Sequence, residues 1–470
     1  MIPLNQPIEK IVGPQGYLHK PEDLSLYEYD GSVDKSRPDV VVFPRSTADV
    51  VALVKLAREA RVPITGRGAG TGLSGGAIAR AGGIMMSFAR MNRILEIDLP
   101  NERAKVEPGV VNLDLTLAVE ADGYFYAPDP SSQRACTIGG NVSENAGGPH
   151  TLAYGVTTNH VLGLEVVLPD GSVLETGGGD QPGYDLTGLL VGSEGTMALV
   201  TRATVRLMRK PEMVKTILVI YDRPDDAGDT VSEITARAIT PVAIEMLDGI
   251  LLKMVEDATH AGYPMDAAAV LLIELEGIRE MVEEQVEQIR QACIACRARE
   301  FRVARNDEER DLLWKGRKNA FGAVGRASPA YLTQDGVVPR TQIAPTLRFI
   351  YGVAERTGLT ISNIFHAGDG NMHPLILFDP RKPGQTEKVK HAADEILEYC
   401  ISVGGSITGE HGVGMEKNEM MARQFSSDTL DMIGRFKKLF DPECRLNPGK
   451  VLPTGRGCME IRQKPGDLSL

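Results

Sequence analysis

The stretch FHAGDGNMHPLILFD (365–379) sets two of the chain's eight histidines on either side of a Gly-Asp-Gly-Asn run. His366 and His373 are seven apart, and in one continuous strand an odd separation puts side chains on opposite faces. Gly368, Asp369, Gly370 and Asn371 tolerate positive φ, and Asp-Gly is a strong reversal signal. Folded back on that turn, the two imidazoles converge on one object, for which a shared metal ion is the candidate. A second constellation, GGSITGEHGVGMEK (404–417), places Glu410 beside His411. Neighbours on an extended stretch point apart, so one of the pair can reach a metal while the other faces a substrate. Two imidazoles and a carboxylate suit zinc, and equally manganese or iron. The same donor set forms the facial triad of non-haem iron oxygenases, and hydrogen-bonded core histidines are the plainer alternative.

Glycine carries the rest of the chemistry. ITGRGAGTGLSGG (64–76) contains a formal GxGxxG from Gly70 to Gly75. A Rossmann fingerprint needs strand, loop, then helix. Here the expected helix precedes the loop, and AIARAGGIMMSF after it has no helical stripe. No Lys-Ser/Thr follows, so a Walker loop fails as well. What remains is a run able to offer consecutive backbone N–H groups to phosphate oxygens. PDPSSQRACTIGGNVSENAGG (128–148) and GSEGTMALV (192–200) are two more such segments. Three of them imply a large anionic cofactor lying against backbone in several places, as FAD would.

These residues need elements to hold them. PDVVVF (38–43) reads as a strand from its β-branched run. Ser46 then offers an N-cap, and Val50, Leu53, Val54 and Ala57 make an apolar helical stripe. TRATVRL (201–207) alternates Ala203, Val205 and Leu207 inward with Arg202, Thr204 and Arg206 outward. From about residue 213, KTILVIYD and AAAVLLIELEG read as strands. Helices are expected at 279–297 and 307–324, a strand near 330–338 and a hairpin-like strand at 361–378. Helices at about 386–402 and 427–440 precede DPECRLNPGKVLP. Strands separated by long helices predict an α+β domain.

At 470 residues the chain should form two or three domains. Its 42% hydrophobic and 24% charged content is that of a globular protein, and its net charge of −12 argues against nucleic acid as a partner. MIPLNQPIEKIVGPQGYLHK has no basic-then-apolar leader, and no apolar run reaches the roughly 18 residues of a membrane span. A cytoplasmic location is expected, with peripheral attachment to the inner membrane through partner subunits left open. Six scattered cysteines make no disulfide framework. Cys293 and Cys296 form a CxxC without a second pair, and read as ordinary helix residues.

GRGAGTGLSGG, PDPSS with TIGGN and NAGG, GSEGT, HAGDGNMH, GEHGVG and LNPGK, in this order, resemble the FAD-binding PCMH/vanillyl-alcohol oxidase superfamily, in the branch that oxidises D-2-hydroxy acids. The resemblance covers nearly the whole chain. It implies an α+β fold: a bipartite PCMH-type FAD-binding domain (1–213), an α+β, ferredoxin-like substrate cap with the metal site (214–425), and a C-terminal segment (426–470) that completes the FAD domain. Arg67, Gly68, Ala69, Gly70, Thr71, Gly72, Ser74 and Gly75 match the pyrophosphate loop. Pro128, Asp129, Ser131, Ser132, Ile138, Gly139, Gly140, Asn141, Gly147 and Gly148 match the segment that wraps the flavin. Gly195, Thr196, Val200 and Asn447 complete the implied cofactor site. Relatives with covalent flavin carry a histidine in the wrapping segment; 128–148 has none, so FAD is expected to be noncovalent. His150, just outside, is expected to be structural.

By the same resemblance His366, His373 and Glu410 are metal ligands, His411 is the catalytic base and touches substrate, and Arg317 grips the substrate carboxylate with both prongs of its guanidinium. A metal would act as Lewis acid and template. His411, with an unperturbed pKa of about 6.5, would accept the hydroxyl proton while the C2 hydride goes to flavin N5. Relatives that oxidise D-2-hydroxyglutarate hold its distal carboxylate with threonine, lysine and asparagine. Phe321, Thr333 and Leu375 fall at those places here, which favours glycolate or D-lactate over D-2-hydroxyglutarate or D-malate. The glycolate-oxidising members imply a companion flavin-type subunit and an iron–sulfur subunit, with quinone or another electron acceptor downstream; a homo-oligomer is also open. The non-enzyme alternative is a flavin-binding subunit of a larger complex without activity of its own.

Overall fold

The computed structural model describes residues 4–177 and 183–455. Two units emerge: Met1–Gly147 with Val156–Lys210 and Glu410–Leu470, and Gly148–Gly155 with Pro211–Gly409.

In the first unit, Tyr17–Leu18 (β1), Val40–Val42 (β2), Ile64–Arg67 (β3) and Ile84–Ser87 (β4) make a sheet in the order β1-β2-β4-β3, with β4 parallel to both its neighbours. Between β2 and β3 runs the helix Thr47–Ala60, capped as its sequence demands: the Ser46 side chain accepts from the Asp49 N–H. Its apolar stripe of Val50, Leu53, Val54 and Ala57 is buried on the sheet. The glycine loop therefore leaves the end of a parallel strand, where no helix follows.

A second, antiparallel sheet of the unit has the order β5-β6-β10-β8-β9, from Ile94–Asp98 (β5), Arg103–Val106 (β6), Val161–Val167 (β8), Val173–Gly177 (β9) and Leu199–Arg206 (β10). Tyr124–Phe125 (β7) pairs separately with Met208–Arg209 (β11). As the alternation predicts, Ala203, Val205 and Leu207 are buried and Arg202, Thr204 and Arg206 are not.

The second unit is built on one antiparallel sheet: Met213–Tyr221 (β12), Ala243–Asp248 (β13), Ala269–Gly277 (β14), Glu300–Val303 (β15), Ala330–Thr333 (β16), Gly336–Val337 (β17), Thr360–His366 (β18) and Asn371–Phe378 (β19). The order is β15-β12-β14-β13-β18-β19-β16, with β17 also on β19. Both faces of its centre are covered, which is why β12 and β14 read as unbroken apolar runs. Period two sends Leu218 and Ile220 to one side, where helices Gly249–Thr259 and Ala320–Ala327 supply Leu251, Val255 and Val324. Tyr221 faces the other side, and its hydroxyl donates to Thr230 on helix Pro224–Ala236 at 2.8 Å.

Three expectations change. The helix expected over 307–324 is two, Asp307–Lys318 and Ala320–Ala327, broken at Asn319, whose amide folds back to donate to the Lys315 carbonyl at 2.7 Å. The boundary expected at 425/426 falls at 409/410, because Ser74 Oγ donates to the His411 carbonyl (2.8 Å) and Glu194 accepts the Val413 and Gly414 N–H groups, all within the first unit. Gly148–Gly155 groups with the second unit instead of the first: the Tyr154 hydroxyl donates to Glu276, and His150 Nε2 lies 3.1 Å from Glu274 Oε1.

Cys136, Cys293, Cys296 and Cys400 are free thiols, and Cys458 lies outside the described residues. Cys293 is buried near the end of helix Arg279–Ala295 and Cys296 caps it, so the CxxC belongs to a helix end. Among the described residues no helix is long and apolar enough to cross a membrane.

Candidate active site

The histidine-rich hairpin solves the parity problem by its turn. β18 and β19 pair with His366 opposite Asn371 and Ile364 opposite His373, so Ala367–Gly370 is the reversal. Gly370 has φ +73, and a Cβ there would stand 2.1 Å from the Val338 carbonyl oxygen, so only glycine closes it. Directly opposed residues share a face, and so do residues two apart on one strand. His366, Asn371, His373 and Leu375 therefore line one side of the sheet, as diagonal and same-strand neighbours. The two imidazole centroids are 5.1 Å apart and nearly perpendicular.

Each ring is held by Nδ1. His366 Nδ1 lies 2.8 Å from Glu245 Oε1, and His373 Nδ1 lies 3.1 Å from the Gln334 carbonyl oxygen. The carboxylate and the carbonyl can only accept, so these closest contacts assign the proton to Nδ1 and the lone pair to Nε2 in each ring; the Arg317 Nη2 donor lies farther from His366 Nδ1, at 3.5 Å. Metal-ligating histidines are oriented in this way. The Asn371 side-chain oxygen, on the same face, is buried with no hydrogen-bond partner among the described residues. The donor set suits a divalent cation.

Behind His366 stands a charged pair that the spacing of the motifs does not reveal. Glu245, on β13, is directly opposite His366 in register and fully buried. Its Oε2 accepts from Arg317 Nε (2.6 Å) and Nη2 (2.5 Å). Burial pushes the Glu245 carboxyl up, but Arg317 and then His366 outweigh this, and its pKa is lowered overall. The two-pronged carboxylate grip expected of Arg317 is thus spent on Glu245. Only Nη1 is left, with no partner among the described residues, on a side chain 1% exposed.

Asp335, also fully buried, accepts the Thr408 hydroxyl at 2.5 Å and the Gly409 N–H at 2.9 Å, and its Oδ1 is 3.8 Å from His373 Nδ1. It ties the last residue of the second unit beside His373, and the next residue in the chain is Glu410. Phe321 packs on Tyr331 (6.3 Å between centroids), Leu375 is fully buried, and the Thr333 hydroxyl, across from Leu375, has no partner among the described residues.

In the first unit the three glycine segments converge. A Cβ on Gly68 would sit 2.4 Å from Thr137 Oγ1, and the Gly192 and Glu194 N–H groups donate to Val142 and Ser143 carbonyls at 2.9 and 2.8 Å. Asn447 Nδ2 bridges the Gly76 and Glu194 carbonyls at 2.9 and 2.7 Å, leaving its Oδ1 unpartnered among the described residues. Lys450 Nζ donates to the Gly75 and Ile78 carbonyls, 2.6 Å each, and burial pulls its pKa down to about 8 against the pull of Asp30, Glu194 and Glu144.

With its carbonyls so occupied, the loop turns N–H groups outward: among the described residues, none from Ala69 to Gly76 donates to the protein. Arg67 lies against Gly70, where a Cβ would meet its Nη2 at 2.1 Å, and donates to the Tyr29 carbonyl at 2.9 Å. A row of unused N–H groups beside a guanidinium is an anion cradle. Ile138 and Gly139 instead spend their N–H groups on the Val110 and Pro108 carbonyls (2.9 and 2.8 Å), so they shape the cradle without offering donors. Gly70 has φ +72, a conformation that costs a side chain about 1–2 kcal/mol. Gly70→Val is expected to weaken retention of the cofactor by about tenfold or more, read from the flavin absorbance of protein equilibrated with limiting FAD.

Two family models match the chain: FAD binding domain over residues 38–177, and FAD linked oxidases, C-terminal domain, over residues 210–451. The chain belongs to the FAD linked oxidases. Glycolate oxidase subunit GlcD of Escherichia coli K12 is 45% identical over 447 residues, 94% of this chain and 90% of that protein. D-lactate dehydrogenase of Anaerostipes hadrus is 32% identical over 428 residues, 89% of this chain and 90% of that one. The solved structure of p-cresol methylhydroxylase superimposes with a TM-score of 0.81 at 19% identity, over 95% of each chain, a likeness of fold. The expected α+β, PCMH-type architecture is the one observed, and the FAD binding domain match makes FAD the cofactor.

The oxidase's Glu-His pair departs from expectation. Residues 407–414 form a bent loop, not an extended strand, and His411 Nε2 comes within 3.9 Å of Glu410 Oε1. Gly412 and Gly414, at φ +81 and +55, make the bend. Glu194 holds it from below by accepting the Val413 and Gly414 N–H groups, 2.7 Å each. Glu144 stands close by, its pKa raised by burial first and by the Glu194 carboxylate second. Sequence reasoning missed Glu245, Asp335, Glu194, Glu144 and Lys450 as parts of the site. Glu194, Lys450 and Glu144 carried a signal, as charged residues inside GSEGT, LNPGK and the glycine-rich segment 128–148.

Proposed function

We propose that this FAD-linked oxidase converts a small D-2-hydroxy acid, glycolate or D-lactate, to the 2-oxo acid, with one divalent metal ion held by His366, His373 and Glu410. The observation that carries the reading is the pair of imidazoles on one sheet face, each engaged at Nδ1. Glu410 joins them by chain continuity, since Asp335 pins Gly409 beside His373.

FAD, when bound, supplies the acceptor for the C2 hydride. A divalent ion, when bound, supplies Lewis acidity and a template for the hydroxyl and one carboxylate oxygen. The chain does the rest. His411 takes the hydroxyl proton on its imidazole, held in place by a backbone carbonyl tied to Ser74. Arg317 Nη1 offers one donor to the substrate carboxylate, a single charge-assisted bond in place of a fork. Phe321 and Leu375 leave a distal carboxylate no cation, so a longer diacid would bury a charge unpaired. With no histidine in 128–148, FAD is noncovalent.

The two relatives named above act, by their names, as a glycolate oxidase subunit and a D-lactate dehydrogenase. From the resemblance to the glycolate-oxidising members we extend to this chain a companion flavin-type subunit, an iron–sulfur subunit, and quinone as the final acceptor.

The test is an anaerobic titration of the FAD-loaded chain with glycolate, D-lactate, L-lactate and D-2-hydroxyglutarate, before and after chelation. Glycolate or D-lactate is expected to bleach the flavin, and chelation to abolish bleaching while FAD stays bound, with recovery on adding zinc or manganese. Bleaching that chelation leaves untouched would remove the metal from the reading, and equal bleaching by D-2-hydroxyglutarate would remove the substrate assignment.

A further inference from the structure

The Glu245–Arg317 pair could be a core ion pair and nothing more, but its geometry is unlike one. Arginine and a carboxylate left to themselves form two parallel bonds, one to each oxygen. Here both guanidinium donors crowd onto Oε2, and Oε1 is given to His366 Nδ1 at 2.8 Å. Register enforces the split, because Glu245 sits directly opposite His366 across β13 and β18 while Arg317 arrives from helix Asp307–Lys318. The two histidines are also held at different range from an anion. His373 Nδ1 meets a neutral carbonyl at 3.1 Å with the Asp335 carboxylate farther off at 3.8 Å, and His366 Nδ1 meets the Glu245 carboxylate directly at 2.8 Å. An anionic partner at Nδ1 makes the opposite nitrogen a better electron-pair donor and fixes its direction.

We propose that Glu245 is a positioning residue that sets the metal affinity of the oxidase, by holding His366 with Nε2 as the donor and Arg317 with Nη1 turned outward. This rests on the metal site proposed above. Glu245 touches neither metal nor substrate and acts through the two side chains it anchors.

The experiment measures metal affinity of the full, FAD-loaded chain by competition with a chromophoric chelator at one pH. In Glu245→Gln the amide can still meet His366 but carries no charge, and metal affinity is expected to fall by about 10–100-fold while the flavin remains bound. Glu245→Asp keeps the charge for Arg317 and draws the carboxylate back from His366. It is expected to bind metal at least about tenfold more weakly, and it carries the test if the glutamine variant does not fold. A role confined to packing would lower the melting temperature and leave the metal dissociation constant where it was. His373→Ala, which should lose metal, reports on the site itself. A wild-type chain that takes up no metal removes this inference and the site beneath it. A wild type that binds metal, with both Glu245 variants binding it equally well, overturns this inference alone.

Discussion

His411→Ala is expected to keep its FAD and its metal and to lose substrate-driven flavin reduction by a factor of about 10²–10⁴, the usual worth of a positioned general base. The substitution separates chemistry from architecture because the loop is held through its main chain as well. Ser74 holds the main-chain carbonyl of residue 411, and Glu194 holds the next N–H groups at 413 and 414. The side chain itself is only 11% exposed, beside Glu410. Anaerobic stopped-flow mixing with glycolate or D-lactate reads the rate directly. Reduction at the wild-type rate would mean that the proton leaves by another route.

Arg317→Met is expected to cost about 3–5 kcal/mol, because it strands a fully buried carboxylate. For a unit of this size that is a fall in melting temperature of roughly 10 °C. The same variant should lose substrate affinity, since Nη1 goes with the side chain. A double variant, Glu245→Gln with Arg317→Met, separates the two effects. It removes both charges, so it should recover a good part of the lost stability and none of the substrate affinity. A double variant as unstable as Arg317→Met alone would show that the loss is one of packing, with the bare carboxylate contributing little.

Several elements were legible from residues alone. The Ser46-capped helix with its Val50, Leu53, Val54 and Ala57 stripe, and the alternation at 201–207, follow from local periodicities that the tertiary structure had no cause to override. The strand Ala243–Asp248 was not legible. AIEMLD is rich in helix formers and runs straight into the helix Gly249–Thr259, and only its place between β14 and β18 makes it a strand. The partner it carries, Glu245, was invisible for the same reason. Glu245 and His366 are far apart in the chain and meet only by register.

The same division runs through the site. Residue type and order announced a cofactor held by glycine loops and a histidine pair across a turn, because positive φ and unused N–H groups are local demands that few residues meet. Which nitrogen of each imidazole is engaged, how many prongs Arg317 has to spare, and that Glu410 and His411 bend toward each other were decided by pairings between distant segments. No local pattern encodes those, since burial of a charge is paid for wherever the fold happens to bring its counter-charge.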